Sequence, residues 1–439
     1  MPQLKRYAVV GLGHRSNMFT DALYTQFKDY GQIVAYCDTN QSRMNYYNRL
    51  YQKLYNAPPV PTYKAEDFDR MIKEQSVDTV IVTSIDRTHH LYITRAMELG
   101  CDVISEKPMT IDAEKCQAIL DTQQTTGRKL TVTFNYRYAP LNSKIKEILQ
   151  SGAIGEVISV HFEWLLDTRH GADYFRRWHR YKENSGGLMV HKATHHFDLM
   201  NWWLDSSPET VFGFGKLAFY GRENALHRGE ATSYIRAYGS EEARNDPYAI
   251  DMSQNERLKG LYLEAEHEDG YYRDLNVFGE GINIEDDMGL VIRYQNNATM
   301  TYHLTAYSPW EGYHIGFNGT KGRLEIHLEE NSYREPASNK GIEASAKEVS
   351  QPPQILLRPL WAKPIEIEPP AFGAGHGGGD ARLLHDVFVG GSDDPLHRAA
   401  GHLDGARSIL TGIAANRAFK TGEPVRVAEL VKFPVTSGA

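Results

Sequence analysis

Five short apolar runs, each closed by a small or polar residue, mark the first third of the chain. They cover residues 7–10, 33–37, 79–83, 102–105 and 129–134. Runs this short and this continuously apolar predict strands buried on both faces. The helix-length stretches between them predict crossovers over a parallel sheet. Residues 91–99 and 113–124 have helical spacing, with Gly100 and Gly127 placed to stop them. Right-handed crossovers then give a doubly wound Rossmann domain over residues 1–138.

Beyond about Pro140 the pattern changes. A helix at 141–150 leads through Ser151 and Gly152 to a strand at 157–164. Alternating segments at 288–294, 298–305 and 323–327 predict a largely antiparallel, open-faced sheet with one buried and one polar face. A helix at 399–420 closes the chain, with Gly422 just past it. Two stretches, 222–274 and 328–372, are polar and lack a clear period, so they read as surface insertions. Residues 139–439 are therefore expected to form one mixed α/β domain for substrate binding and oligomerisation. The fold class is α/β, and 439 residues are ample for two cores.

Composition narrows the partners. The net charge of -8 argues against broad nucleic-acid binding, which needs basic surface to displace counterions. Three cysteines, Cys37, Cys101 and Cys116, without a Cys-x-x-Cys pair, give neither a disulfide framework nor a thiolate zinc site. No stretch is apolar enough to span a bilayer, and the opening residues lack the apolar run of a secretory signal. A cytoplasmic protein with no membrane partner is the expectation.

Gly11-Leu12-Gly13-His14-Arg15-Ser16 follows the first strand directly. Gly11 suits the tight turn, Gly13 lets backbone approach a pyrophosphate, and a small third residue permits close helix packing. Asp38 ends the second strand, where a carboxylate accepts hydrogen bonds from ribose hydroxyls and repels a 2′-phosphate. NAD is favoured over NADP on that ground.

Further motifs follow in order: Ile81-Val82-Thr83-Ser84, Thr88-His89, Ser105-Glu106-Lys107-Pro108 and Asn135-Tyr136-Arg137-Tyr138. Together they resemble the Gfo/Idh/MocA oxidoreductases. The resemblance is clear from residue 5 to about 205, weaker over 280–325 and in the last helix. It implies NAD(P)-dependent hydride transfer at a sugar or polyol, with Lys107 reaching the reacting oxygen. It places Ser84, His89, Glu106, Lys107, Asn135 and Arg137 beside the cofactor, with Gly11, Gly13, His14, Arg15, Ser16 and Asp38. It also implies a homo-oligomer, dimer or tetramer, packed through the open sheet face. On chemistry alone, an arginine at a domain seam serves equally well as a structural ion pair.

A second signature, Gly186-Gly187-Leu188-Met189-Val190-His191-Lys192-Ala193-Thr194-His195-His196-Phe197-Asp198, resembles the catalytic helix of that family. His195 matches its catalytic histidine, and a neutral imidazole there can take the hydroxyl proton as hydride leaves. Where most relatives have aspartate this chain has His191, and Lys192 adds a cation. His191 and His195 stand four apart, which predicts a shared helix face. A lesser reading therefore makes them metal ligands, with His161, Glu163 or His303 as a third; the metal-free acid–base reading is preferred. Tyr136, Trp164, Lys192, His195 and Trp310 are the substrate-binding candidates, the last in the loop Ser308-Pro309-Trp310-Glu311-Gly312. Trp178, Trp202 and Trp203 serve either stacking or core packing. His376-Gly377-Gly378-Gly379-Asp380 is similar to a segment of NAD-dependent retaining glycosidases, or is simply a flexible loop.

The leading expectation is hydride transfer between the nicotinamide and a secondary hydroxyl of a sugar, cyclitol or glycoside. The alternative is a redox-neutral glycosidase or lyase working through a transient 3-keto intermediate. A non-catalytic NAD-binding regulator is disfavoured by the presence of both Lys107 and His195.

Overall fold

The computed structural model describes residues 4–334, 351–371, 375–391 and 393–433. β1 (Lys5–Val10), β2 (Gly31–Cys37), β3 (Thr62–Tyr63), β4 (Thr79–Val82), β5 (Asp102–Ser105) and β6 (Leu130–Val132) form a sheet ordered β3-β2-β1-β4-β5-β6. Every pair in it is parallel. The five apolar runs are all strands. The sixth, β3, has two residues, too few to show any period. The sheet is covered by α1 (Asn17–Tyr24), α2 (Gln41–Tyr55), α3 (Phe68–Glu74), α4 (His89–Glu98) and α5 (Ala113–Thr126). Local chemistry sets the helix ends. The Asn40 side chain accepts from the Arg43 amide to start α2, Asp112 accepts from the Lys115 amide to start α5, and Gly127 ends α5 in the left-handed region. The strand order reverses between β1 and β4, so the loops after β1 and β4 open at the switch point.

The second sheet has nine strands: β7 (Val157–Asp167), β8 (Pro208–Lys216), β9 (Asp287–Tyr294), β10 (Thr299–Ser308), β11 (Glu311–Gly319), β12 (Gly322–Asn331), β13 (Gln354–Pro359), β14 (Ile365–Ile367) and β15 (Val425–Arg426). Its order is β14-β13-β12-β11-β7-β10-β9-β8-β15. Among the described residues, only the β7–β10 pairing in it is parallel. Alternation sorts the faces: Leu324, Ile326 and Leu328 of β12 are buried, while Arg323, Glu325 and His327 point outward. Along the chain run α6 (Pro140–Gln150), α7 (Thr168–Arg176), α8 (Lys182–Ser185), α9 (Leu188–His191), α10 (Thr194–Leu204), α11 (Arg222–Arg228), α12 (Glu256–Leu261), α13 (Glu266–Asp269), α14 (Gly375–Phe388) and α15 (His402–Thr421). Every residue of α10 is buried, and α15 buries Ile409, Leu410, Ala414 and Ala415.

Two sequence expectations change. The stretch 328–372 is not simply an insertion: it completes β12 and supplies β13 and β14, which extend the sheet edge. Strands of three to six residues are too short to reveal a period; residues 335–350 and 372 lie outside the described part. The stretch 222–274, read as a surface insertion, also packs inward. Met252, Leu258, Leu261 and Tyr262 are buried in one apolar cluster with Val9, Leu12, Phe19 and Tyr47 of the first domain. The chain returns there a second time through α14, where the Phe388 ring packs edge-on against Tyr7, 5.4 Å away, and beside Phe27, also at 5.4 Å.

Candidate active site

The loops after β1, β4, β5 and β6 converge on α9 and α10. At the first, Gly11 has φ +85°, and a Cβ there would stand 2.4 Å from the Ser84 backbone. Only glycine lets the β1 turn lie this close to the β4 loop. At Gly13 a Cβ would meet only the Tyr262 hydroxyl, at 3.5 Å, so the outer side of the turn is free of backbone. The Ser16 hydroxyl donates to the Gly13 carbonyl at 2.8 Å and fixes the turn. The His14 amide donates to the Tyr262 hydroxyl at 2.9 Å. Burial, then Arg257, Arg273 and Arg177, push the His14 imidazole down to about 4. A glycine turn in cationic surroundings, opening a helix, fits a dinucleotide pyrophosphate. Asp38 stands beside it, accepting from the amides of Leu12 (2.5 Å) and Asn40 (2.8 Å). Burial raises its carboxyl, opposed by Arg43 and those two amides.

The Glu106-Lys107-Pro108 corner is built from beneath. Glu106 is buried and accepts from Arg15 Nε at 2.8 Å and from the Thr133 hydroxyl at 3.0 Å. The two His89 ring nitrogens lie 2.8 Å from the Pro108 carbonyl and 3.0 Å from that of Ser84. Glu106 and His89 thus shape the corner itself. Lys107 Nζ donates to the His191 carbonyl at 3.3 Å. Burial pushes the Lys107 ammonium down to about 8, with Glu106 and Asp86 holding it up against Arg15 and Arg177. That value lets the lysine change charge near neutrality.

His191 and His195 do not share a face. The amides of Lys192 and Ala193 both donate to the Leu188 carbonyl, at 3.0 and 2.8 Å. This widens the turn between α9 and α10 by a residue, a distortion frequent at functional sites. His191 turns to Asp86, with Nδ1 2.5 Å from Oδ2, and packs edge-on to His179 at 4.2 Å between ring centroids. His195 turns instead to Tyr136, 4.6 Å away, and to His376, 5.9 Å away. Burial, then Lys107, His376 and Lys192, hold His195 far below the usual imidazole range, so it is neutral. Its Nδ1 is buried without a hydrogen-bond partner. His191 is likewise held low by burial, Lys107 and His179, while burial raises the Asp86 carboxyl.

The metal reading loses its geometry. His161 bonds Thr301 at 2.9 Å, and His303 lies between Glu163 (3.7 Å) and Asp287 (3.4 Å). All of these sit on the outer face of the second sheet, so none supplies a third ligand. Among the described residues no group of three or more such side chains is arranged to hold a metal ion.

Of the substrate candidates, four come together. Tyr136 stacks on Trp164 at 5.8 Å, and Lys192 Nζ lies 4.9 Å from the Trp164 ring and 5.6 Å from that of Tyr136. His195 completes the cluster. Trp310 does not join it: its ring packs near His314 (5.8 Å) and His327 (5.9 Å), residues that strand alternation points outward. Arg137 takes the ion-pair role that its chemistry left open. It is buried, donating to both Asp198 oxygens at 2.8 and 2.6 Å and to Asp404 at 3.0 Å. It ties the β6 loop to α10 and α15. Asn135 donates to Asp380 at 2.6 Å. Trp202 and Trp203 are core residues whose indoles donate to the carbonyls of Leu396 (2.6 Å) and Asn142 (3.0 Å), and Trp178 stacks on His179 at 3.5 Å.

Sequence reasoning missed Asp86 and His179 and undervalued His376. Asp86 was open to discovery, because it lies in the loop after β4, at the carboxyl ends of the strands. His376 reaches the site through left-handed backbone at residues 376–378, and its Nδ1 pairs with Asp380 at 3.1 Å. Its ring lies 5.2 Å from Tyr136.

Residues 5–134 match the family model described as "Oxidoreductase family, NAD-binding Rossmann fold". Residues 146–427 match "Oxidoreductase family, C-terminal alpha/beta domain". The chain is 35% identical over 439 residues to YteT of Bacillus subtilis (strain 168), covering 97% of this chain and 99% of that one; the name of YteT places it among oxidoreductases without a substrate. It is 29% identical over 152 residues to a D-glucoside 3-dehydrogenase of Escherichia coli (strain K12), covering 35% of this chain and 41% of the relative. An oxidoreductase from Agrobacterium radiobacter, solved with NAD+, L-tartaric acid and magnesium, shares the fold at TM-score 0.62 and 15% identity, covering 98% of this chain and all of that one. No helix among the described residues is long and apolar enough to cross a membrane.

Proposed function

Because the chain belongs to the Gfo/Idh/MocA oxidoreductase family, we propose that it uses NAD to oxidise a secondary hydroxyl of a sugar, cyclitol or glycoside. The observation that carries this reading is the convergence of a low-pKa lysine and a neutral histidine with no hydrogen-bond partner at Nδ1, beside an aromatic pair. Bound NAD would supply the hydride acceptor. The Lys107 ammonium would hold the substrate oxygen and stabilise the alkoxide that develops on it. Neutral His195 would take the hydroxyl proton. Tyr136 offers a ring face to sugar C–H bonds, with Lys192 Nζ 5.6 Å from it; Trp164 is buried among Tyr136, His196 and Tyr313 and backs that ring. Asp86 positions: by fixing His191 it keeps the His191 carbonyl on Lys107 Nζ. The relative named as a D-glucoside 3-dehydrogenase supports the substrate class.

The deciding experiment incubates the enzyme with free sugars, cyclitols and glycosides, with and without NAD, and follows NADH absorbance and product mass together. Net NADH with a ketone product supports the reading. Aglycone release without net NADH replaces it by the redox-neutral elimination route.

A further inference from the structure

We propose that the 222–274 insertion sets the choice between NAD and NADP, through Glu268 and Asp269, which hold the groups that would otherwise receive a 2′-phosphate. The inference rests on the dinucleotide reading above and extends it to residues outside the Rossmann domain.

Four positive or donor groups gather beyond β2. The amides of Gln41 and Ser42 open α2, Arg43 lies in its first turn, and Lys64 follows β3. An arginine near this strand end accommodates a 2′-phosphate, and amides at a helix start attract anions. Taken alone, Arg43 and Lys64 would argue for NADP and against the reading drawn from Asp38.

The insertion takes these groups away. The Gln41 and Ser42 amides donate to the two Glu268 carboxylate oxygens at 2.7 and 2.6 Å. Lys64 Nζ lies 3.1 Å from Glu268 Oε2. Arg43 Nη2 lies 2.8 Å from Asp269 Oδ2, which also accepts from Asn40 Nδ2 at 3.1 Å. These hydrogen bonds and Lys64 outweigh the cost of burial and bring Glu268 down to about 2, so it is ionised at any physiological pH. A 2′-phosphate, with a charge of about −2, would meet Asp38, Glu268 and Asp269 with the local cations already paired. A 2′-hydroxyl can donate to a carboxylate instead.

The acids are pinned in place. Arg43 Nε donates to the Leu261 carbonyl at 3.1 Å, and Asn40 Nδ2 to that of Ala265 at 2.9 Å. Gly260 packs so tightly on Tyr46 that a Cβ would stand 2.4 Å from the ring. Leu258, Leu261 and Ala265 are buried. The selectivity is therefore supplied by a segment more than two hundred positions away in sequence from the strand it acts on.

The test measures dissociation constants of NAD and NADP by titration calorimetry on the full chain. The proteins are the wild type, Glu268→Gln, Asp269→Asn, the double variant, and Glu264→Gln as a control on the same insertion. We expect the wild type to prefer NAD, and the double variant to bind NADP at least about tenfold more tightly with NAD affinity changed less than about threefold. The single variants should fall between, and the control should match the wild type. A double variant with wild-type circular dichroism and NAD affinity, but unchanged NADP affinity, overturns the inference. So does a wild type that prefers NADP. A wild type that binds neither nucleotide overturns the dinucleotide reading first and this inference with it.

Discussion

Raising the pH from about 7 to about 9 should switch off substrate oxidation by removing one proton from Lys107. Its ammonium is pushed down to about 8, chiefly by burial. The groups facing it are the Glu106 and Asp86 carboxyls, the Arg15 and Arg177 guanidiniums, and His191 and His195. Both histidines are already neutral through this window, so neither blurs the transition. For an ammonium near 8, the protonated fraction falls from about nine-tenths at pH 7 to about one-tenth at pH 9. If the cation must hold the developing alkoxide, kcat/KM falls about tenfold, because kcat/KM reports ionisations of the free enzyme. The assay is the initial rate of NADH formation at low substrate across that range. Lys107→Arg should lower the rate yet erase the descending limb, since a guanidinium stays charged throughout. A rate that rises through pH 8, or a limb that survives in Lys107→Arg, would refute the cation role and make the lysine a base.

Four other outcomes are expected. Lys107→Met and His195→Asn should each lower kcat by about 10²–10⁴-fold with NAD affinity unchanged, and the double variant should be little worse than the worse single one; multiplying defects would mean independent roles. Arg137→Met strands Asp198 in the core and should cost about 3–5 kcal/mol in urea denaturation; a loss under about 1 kcal/mol would show that the seam does not depend on the pair. Gly13→Ala should leave the fold intact and weaken NAD binding by about tenfold or more, so equal affinity in calorimetry would remove the pyrophosphate from this turn. Light scattering at micromolar concentration should show a homo-oligomer, driven back to monomer by Phe214→Lys with Val291→Lys, since these side chains of the outer sheet face are 70% and 54% exposed; a monomeric wild type ends that idea.

The parallel sheet was legible because both-face burial writes itself as continuous apolar runs, and β1, β2, β4, β5 and β6 lie where those runs do. The glycine turn, Lys107 and His195 were legible because their chemistry is local to short motifs. What stayed hidden depends on contacts between distant segments. Nothing near Asp86 announces His191, 105 positions on. The shared face expected of His191 and His195 fails because one carbonyl, Leu188, takes two amides and turns the helix between them. Trp310 reads as a substrate residue, but no sequence signal states which face of a sheet a hairpin turn joins. Arg137 shows the same gap: its pairing with Asp198 and Asp404 is settled by packing between segments that the motif does not contain.

The return of the chain to the first domain sets a timetable for biosynthesis. The Rossmann strands and helices leave the ribosome first, yet their apolar surface is closed by Met252, Leu258, Leu261 and Tyr262 and finally by Leu384 and Phe388. From the end of the fifth apolar run to Phe388 the ribosome adds roughly 250 residues, about 12 to 50 s of synthesis at typical rates. Through that interval Tyr7 and Phe27 lack the ring that covers them. The nascent first domain thus keeps an apolar patch open until the later segments arrive, and a gene fragment ending near residue 138 would encode a piece with that patch exposed instead of a portable cofactor module.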